Sequence, residues 1–210
     1  MSELVIYWRD WEERKLAAYQ QDQGSTNHCA KFASASAVNL LMDSSFDGSL
    51  LVSWLGNRFL RGSIRYTILG NHNGSLVFQT ANLVERLGLL KGIDLEVHIK
   101  RGKVEDLLDT LQDGATVSLV SVTYFKGEEP IISRGQNTTN VLSAARWVGG
   151  HIMIPSVHDP GHHNLAGDCT PWGFLSSWAS KDQLYWMSDE DFQRTWGRLS
   201  FFNMVTVRRG

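Results

Sequence analysis

The stretch that most constrains this chain is Gln23-Gly24-Ser25-Thr26-Asn27-His28-Cys29-Ala30-Lys31-Phe32-Ala33, a polar turn that runs into a cysteine. The alanine-rich segment from Ala30 to Met42 contains no helix breaker, which predicts a helix beginning at Cys29. Unpaired backbone N–H groups and aligned peptide dipoles favour negative charge at such an end, so the Cys29 thiol is expected below its ordinary pKa. Gln23, six residues upstream, carries a carboxamide that can swing back beside the sulfur. Its NH2 and the Cys29 N–H would then be two donors aimed at a developing oxyanion. A cysteine in this setting also reads as a small buried residue behind a helix cap, so its chemistry depends on what the rest of the chain brings to it.

The remaining periodicities divide the chain in two. Leu4 to Trp8 is a short apolar start, expected as a strand against another part of the fold, and Glu12 to Gln20 reads as a charged connector. Leu50, Leu51, Trp54, Leu55 and Phe59 recur at helical spacing, Gly70 to Gly74 is a turn signal, and Leu76 to Leu87 predicts a helix stopped by Gly88. From Ile93 the pattern changes. Leu95 to Ile99 alternates as a strand, Val104 to Leu111 predicts a helix closed by Gly114, and Ala115 to Phe125 reads as a central strand. Gly127 to Asn140 shows no clear element. Ile152–Val157, Phe174-Leu175, Leu184–Met187 and Phe201–Val207 predict four more strands, with a capped helix start at Ser188 to Asp191. The expected fold class is α+β in a single domain, with a helical lobe over about 10–92 and an antiparallel β-rich lobe over about 93–210. Residues 1–9 are expected to pack on the second lobe.

A nucleophile on the first lobe needs its base on the second. Gly149-Gly150-His151-Ile152 offers one: the glycines let a loop approach the cleft, and His151 stands at the start of a strand that holds its ring. Such a histidine can take the Cys29 proton and later protonate a leaving amine.

Taken together, these segments resemble the papain-like cysteine peptidases, in a bacterial form, along nearly the whole chain. The active-site pattern Gln-Gly-Ser-x-x-x-Cys-x-x-Phe-Ala is present at Gln23 to Ala33, and Trp8-Arg9 is similar to the Trp-Arg near the start of mature enzymes. Gly70-Asn71-His72-Asn73-Gly74 resembles the Gly-Cys-Asn-Gly-Gly turn that leads to the groove wall, and Gly150-His151 with the strand behind it resembles the histidine strand. Phe174-Leu175-Ser176-Ser177-Trp178 is similar to Ile-Lys-Asn-Ser-Trp, and Leu184 to Ser188 resembles the closing strand. The resemblance implies a two-lobe fold with the active-site cleft between the lobes. It also implies catalytic roles for Gln23, Cys29, His151 and Ser176, and substrate contacts by Asn73, Gly74, Leu76, Gly150 and Trp178. Ser176 stands where the family has the asparagine that orients the histidine; Asp159 and Asp168 are alternative orienters. Leu76, Val77 and Phe78 read equally as groove wall and as helix core. Thr26 replaces the family's disulfide cysteine, and the chain begins where a mature enzyme would, so no propeptide is expected.

The implied function is hydrolysis of peptide bonds through an acyl-enzyme thioester, with a peptide or protein as partner and no cofactor. The rivals are a thiol acyltransferase or amidase on the same residues, and a catalytically weak peptide-binding scaffold. With a net charge of −2 and no basic stripe, nothing suggests nucleic acid or a membrane surface. The absence of an apolar leader, together with two cysteines expected to stay reduced, points to a cytoplasmic protein. His158 to Cys169 carries three histidines, two aspartates and a cysteine, enough ligands for zinc. Their spacing matches no metal motif, so the segment is expected to be a solvated loop or a cover over the cleft, and no metal site is assigned.

Overall fold

The computed structural model describes residues 4–24, 28–51, 64–66, 72–74, 77–139, 148–178, 182–198 and 200–210. It is an α+β structure built around one long antiparallel sheet and one buried helix. The strands are β1 (Ile6–Tyr7), β2 (Ile64–Tyr66), β3 (His72–Gly74), β4 (Leu95–Arg101), β5 (Thr116–Phe125), β6 (Ile132–Arg134), β7 (Asn137–Thr139), β8 (Val148–His158), β9 (Trp172–Leu175), β10 (Tyr185–Met187) and β11 (Asn203–Arg209). The helices are α1 (Glu13–Ala17), α2 (Cys29–Met42), α3 (Val77–Lys91), α4 (Val104–Asp113) and α5 (Asp189–Gly197).

The large sheet runs β4-β11-β5-β8-β9-β10-β6-β7, every pairing antiparallel, and β2 and β3 form a separate two-stranded sheet. β8 is the pivot. Its first half pairs with β5, placing His151 opposite Val122. Its second half pairs with β9 through a register shift between Pro155 and Val157. A strand that changes neighbours along its length bends, and here the bend is marked by that irregularity.

α2 is buried from Ala30 to Leu41, so this helix has no solvent face. Small alanines let it pack against β5, β8 and α3 on different sides. Beyond its left-handed cap at Asp43 (φ 50°), Asn39 fastens the departing chain. Its side-chain amide donates to the Phe46 carbonyl at 2.8 Å and its oxygen accepts from the Phe46 N–H at 2.6 Å. The N-terminal segment is tied to the sheet, as expected: β1 pairs with Val157 and His158, Trp8 Nε1 donates to the Thr116 carbonyl, and Arg9 Nε donates to the Gly114 carbonyl.

Several expectations change. The charged connector contains α1. His72–Gly74 is a strand, with Asn73 opposite Arg65 and Gly74 opposite Ile64. α3 runs through Gly88 to Lys91; one glycine costs a helix only about 1 kcal/mol, and the chain turns at Gly92, whose φ of +65° a side chain would resist. The featureless stretch Gly127 to Asn140 contains the β6–β7 hairpin. Ser133 and Ile132 are buried there, so a short strand formed where polar residues gave no alternation to read. Leu50 and Leu51 are helical, while the rest of that expected helix lies outside the described residues, as does Leu76.

Gly149 and Gly150 lie within β8, not on a loop, and differ sharply in surroundings. A side-chain carbon at Gly149 would sit inside the Tyr124 ring, whereas at Gly150 its nearest neighbour would be Thr123 Cγ2 at 3.5 Å. Gly149→Ala should therefore lower stability by about 1–3 kcal/mol, the usual cost of overpacking, while Gly150→Ala should stay close to wild type. Urea denaturation midpoints of the two variants check this.

Candidate active site

Cys29 is the first residue of α2, as the sequence predicts, and His28 forms the helix N-cap without a side-chain capping bond. The sulfur meets the histidine strand directly: a Cys29 thiolate would accept from the Ile152 backbone N–H, from that of Ala30 and from its own. Ile152 follows His151, so the head of α2 abuts the His151–Ile152 step of β8.

The ring of His151 is held on two sides. Its Nε2 lies 2.9 Å from Ser176 Oγ, and the Trp178 indole stacks on it with centroids 4.1 Å apart and planes 14° from parallel. Tyr185 braces Trp178 edge-on at 4.9 Å. Each contact contributes about 0.5–1.5 kcal/mol, enough together to favour one ring orientation. With Nε2 engaged, Nδ1 is the nitrogen left to exchange a proton. Asp159, at the end of β8, accepts from the Gly161 N–H, and Asp168 accepts from the Asn164 amide, so the two alternative orienters face their own loop.

Ser176-Ser177-Trp178 serves three functions in succession. Between the residues on the ring, Ser177 grips Gln23 twice: its carbonyl accepts from the Gln23 N–H at 2.9 Å, and its hydroxyl donates to Gln23 Oε1 at 2.6 Å. Fixing that oxygen determines which way the NH2 end points. Gln20, which sequence reading passed over, secures the triplet from behind. It accepts from the Ser176 N–H at 3.0 Å and donates to the Gln183 carbonyl at 2.8 Å, and it is buried. A glutamine in a charged connector gives no signal of this role. Among the residues expected to contact substrate, Trp178 covers the histidine, Gly150 is exposed beside it, and Asn73 and Gly74 are placed only as strand backbone.

The electrostatics depart from the sequence expectation. Burial pushes the Cys29 thiol up, and although the three N–H groups and the Lys31 charge pull the other way, burial dominates. Burial likewise pushes His151 down to about 3. Burial thus favours the neutral thiol and the neutral imidazole, against the expected thiolate, although Cys29 keeps part of its surface open. Two further residues bear on the sulfur. Lys31, only 2% exposed, places Nζ 3.1 Å from His28 Nδ1 and favours the Cys29 thiolate. Tyr124 is buried over Gly149 and close enough that a Cys29 thiolate would raise its phenol, after burial and Glu129.

The candidate metal loop is occupied with other contacts. His162 stacks on Trp186 at 3.7 Å and bonds Thr170, His163 bonds the Gly161 carbonyl, and the Leu165 N–H reaches the Gln136 carbonyl. Among the described residues no group of three or more His, Cys, Asp or Glu side chains could hold a metal ion. No described helix is long and apolar enough to cross a membrane, and Cys29 and Cys169 are unbridged. Neither protein-family models nor curated proteins gave a match to this chain.

Iodoacetamide alkylation of Cys29, followed by peptide mapping, should show a midpoint above the value of about 8.5 for a free thiol. Lys31→Met should move that midpoint higher still, because a favourable charge is lost. A midpoint on the acid side of a free thiol would contradict the burial argument.

Proposed function

We propose that this chain is a papain-like thiol hydrolase that cleaves peptide bonds, its helices α1–α3 forming one lobe and the sheet the other. The observation that carries this reading is the contact of the Cys29 sulfur with the strand of a histidine whose far nitrogen is bonded by Ser176 and whose face is covered by Trp178. Family resemblance in the sequence points the same way. The unbridged cysteines fit a reducing, cytoplasmic setting.

In this mechanism His151 Nδ1 removes the Cys29 proton as the sulfur attacks the substrate carbonyl carbon. With burial favouring the neutral form of both groups, proton transfer accompanies attack. The carbonyl oxygen gains the charge, and the Cys29 N–H and the Gln23 NH2 are the donors assigned to it. Collapse breaks the C–N bond, His151 protonates the departing amine, and a thioester remains on Cys29. Water then attacks the thioester with His151 as base, the C–S bond breaks, and the acid leaves as the thiol is restored. Ser176 and Trp178 keep the imidazole aimed, while Ser177 and Gln20 keep the donors and the orienter in place.

The burial that neutralises both groups also favours a second reading, a peptide-binding scaffold with little turnover. Hydrolysis of a mixed peptide-amide library, with products identified by mass spectrometry, separates the two. Cys29→Ala and His151→Ala should abolish cleavage. Ser176→Ala should reduce it by about tenfold or less, the worth of one hydrogen bond, and Ser176→Asn should keep or raise it. Added amine that diverts product to a new amide would identify an acyltransferase. Peptide binding without cleavage would establish the scaffold.

A further inference from the structure

β4 (Leu95–Arg101) is the terminal strand of the large sheet. It pairs with β11 along its whole length, and among the described residues no strand lies on its other side. Leu95, Glu96 and Val97 are partly buried, while His98, Ile99, Lys100 and Arg101 are exposed, Ile99 to 47%. An edge of this kind presents a row of backbone N–H and C=O groups to any strand that can match it.

We propose that β4 pairs with β4 of a second copy of this chain, antiparallel about a two-fold axis at His98, joining the two sheets into one. The strand is complementary to itself in that register. Glu96 falls opposite Lys100 of the second copy, Lys100 opposite its Glu96, and Val97 opposite its Ile99. Opposite charges and branched apolar pairs directly across a ladder each stabilise it, by contrast with like charges. Neighbouring registers that keep the two faces of the sheet aligned pair fewer residues of the strand. Centring on Ile99 pairs only Val97 to Arg101 and sets His98 against Lys100, and centring on Val97 pairs only Leu95 to Ile99, leaving Lys100 and Arg101 beyond the partner strand. The register about His98 pairs all seven residues.

The charges already in use are compatible with this. Glu96 accepts from Arg208 and Lys100 lies 3.8 Å from Asp106, while a carboxylate and an ammonium each have further hydrogen-bonding capacity. On the apolar side, the exposed Ile99 would be covered by Val97 of the second copy, extending the face on which α3 packs.

Analytical ultracentrifugation of the full chain tests the pairing. Wild type should sediment as a dimer across micromolar concentrations. Glu96→Lys and Lys100→Glu should each be monomeric, since each sets like charges across the axis. An equimolar mixture of the two variants should restore a dimer, because lysines on one strand then face glutamates on the other. Ile99→Lys should be a third monomeric variant, one that leaves both the Glu96–Arg208 and the Lys100–Asp106 pairs intact. A monomeric wild type, single variants that remain dimeric, or a mixture that stays monomeric would overturn the proposal.

Discussion

The approach of the Cys29 sulfur to the Ile152 backbone N–H joins the head of α2 to the strand that carries His151. Everything around it keeps that contact in register. α2 is fixed by burial on all sides, so its first residue is set by the packing of the whole helix. β8 is fixed by β5 on one stretch and β9 on the next, so the rotation of His151 about the strand is set by its ladder with β5, and the β9 ladder that begins at Ile154 anchors the strand beyond it. A one-residue slip against β5 would turn His151 to the opposite face. The position of the candidate nucleophile and base is thus a consequence of sheet register and helix burial.

The packing that gives this precision also sets the charge state. Both groups are drawn out of water, and desolvation disfavours the charged form of each. The helix end, the backbone donors and Lys31 all act in favour of the thiolate without reversing that effect. Under the proposed mechanism the proton transfer occurs together with attack. Lys31 and Tyr124 are the residues whose charge and phenol respond to the sulfur.

Much of this was legible in the sequence because the elements concerned have strong local signals. The start of α2 at Cys29, the central strand β5, the strand carrying His151 and the capped start of α5 at Ser188 all follow from propensity, alternation or capping residues. Ser176 was nameable as the orienter only through its place in a pattern, and its bond to His151 gives that place a geometry. What could not be read depends on contacts distant in sequence. Gln20 supports Ser176 across 156 residues, and Ser177 grips Gln23 across 154. The β6–β7 hairpin is held by pairing with β10 and not by its own composition. A helix end at Cys29 is visible in the sequence, whereas the burial that pushes its thiol the other way is not.

The most direct test of the account is to capture the intermediate. A peptide ester mixed with the protein and quenched in acid within milliseconds should leave an acyl group on Cys29, detected as a mass increase on its tryptic peptide. The account predicts that adduct in wild type, none on Cys169, and a loss of most of its formation rate in His151→Ala. No adduct on Cys29, or one that forms equally fast without His151, would contradict the claim that these two residues act as a catalytic pair.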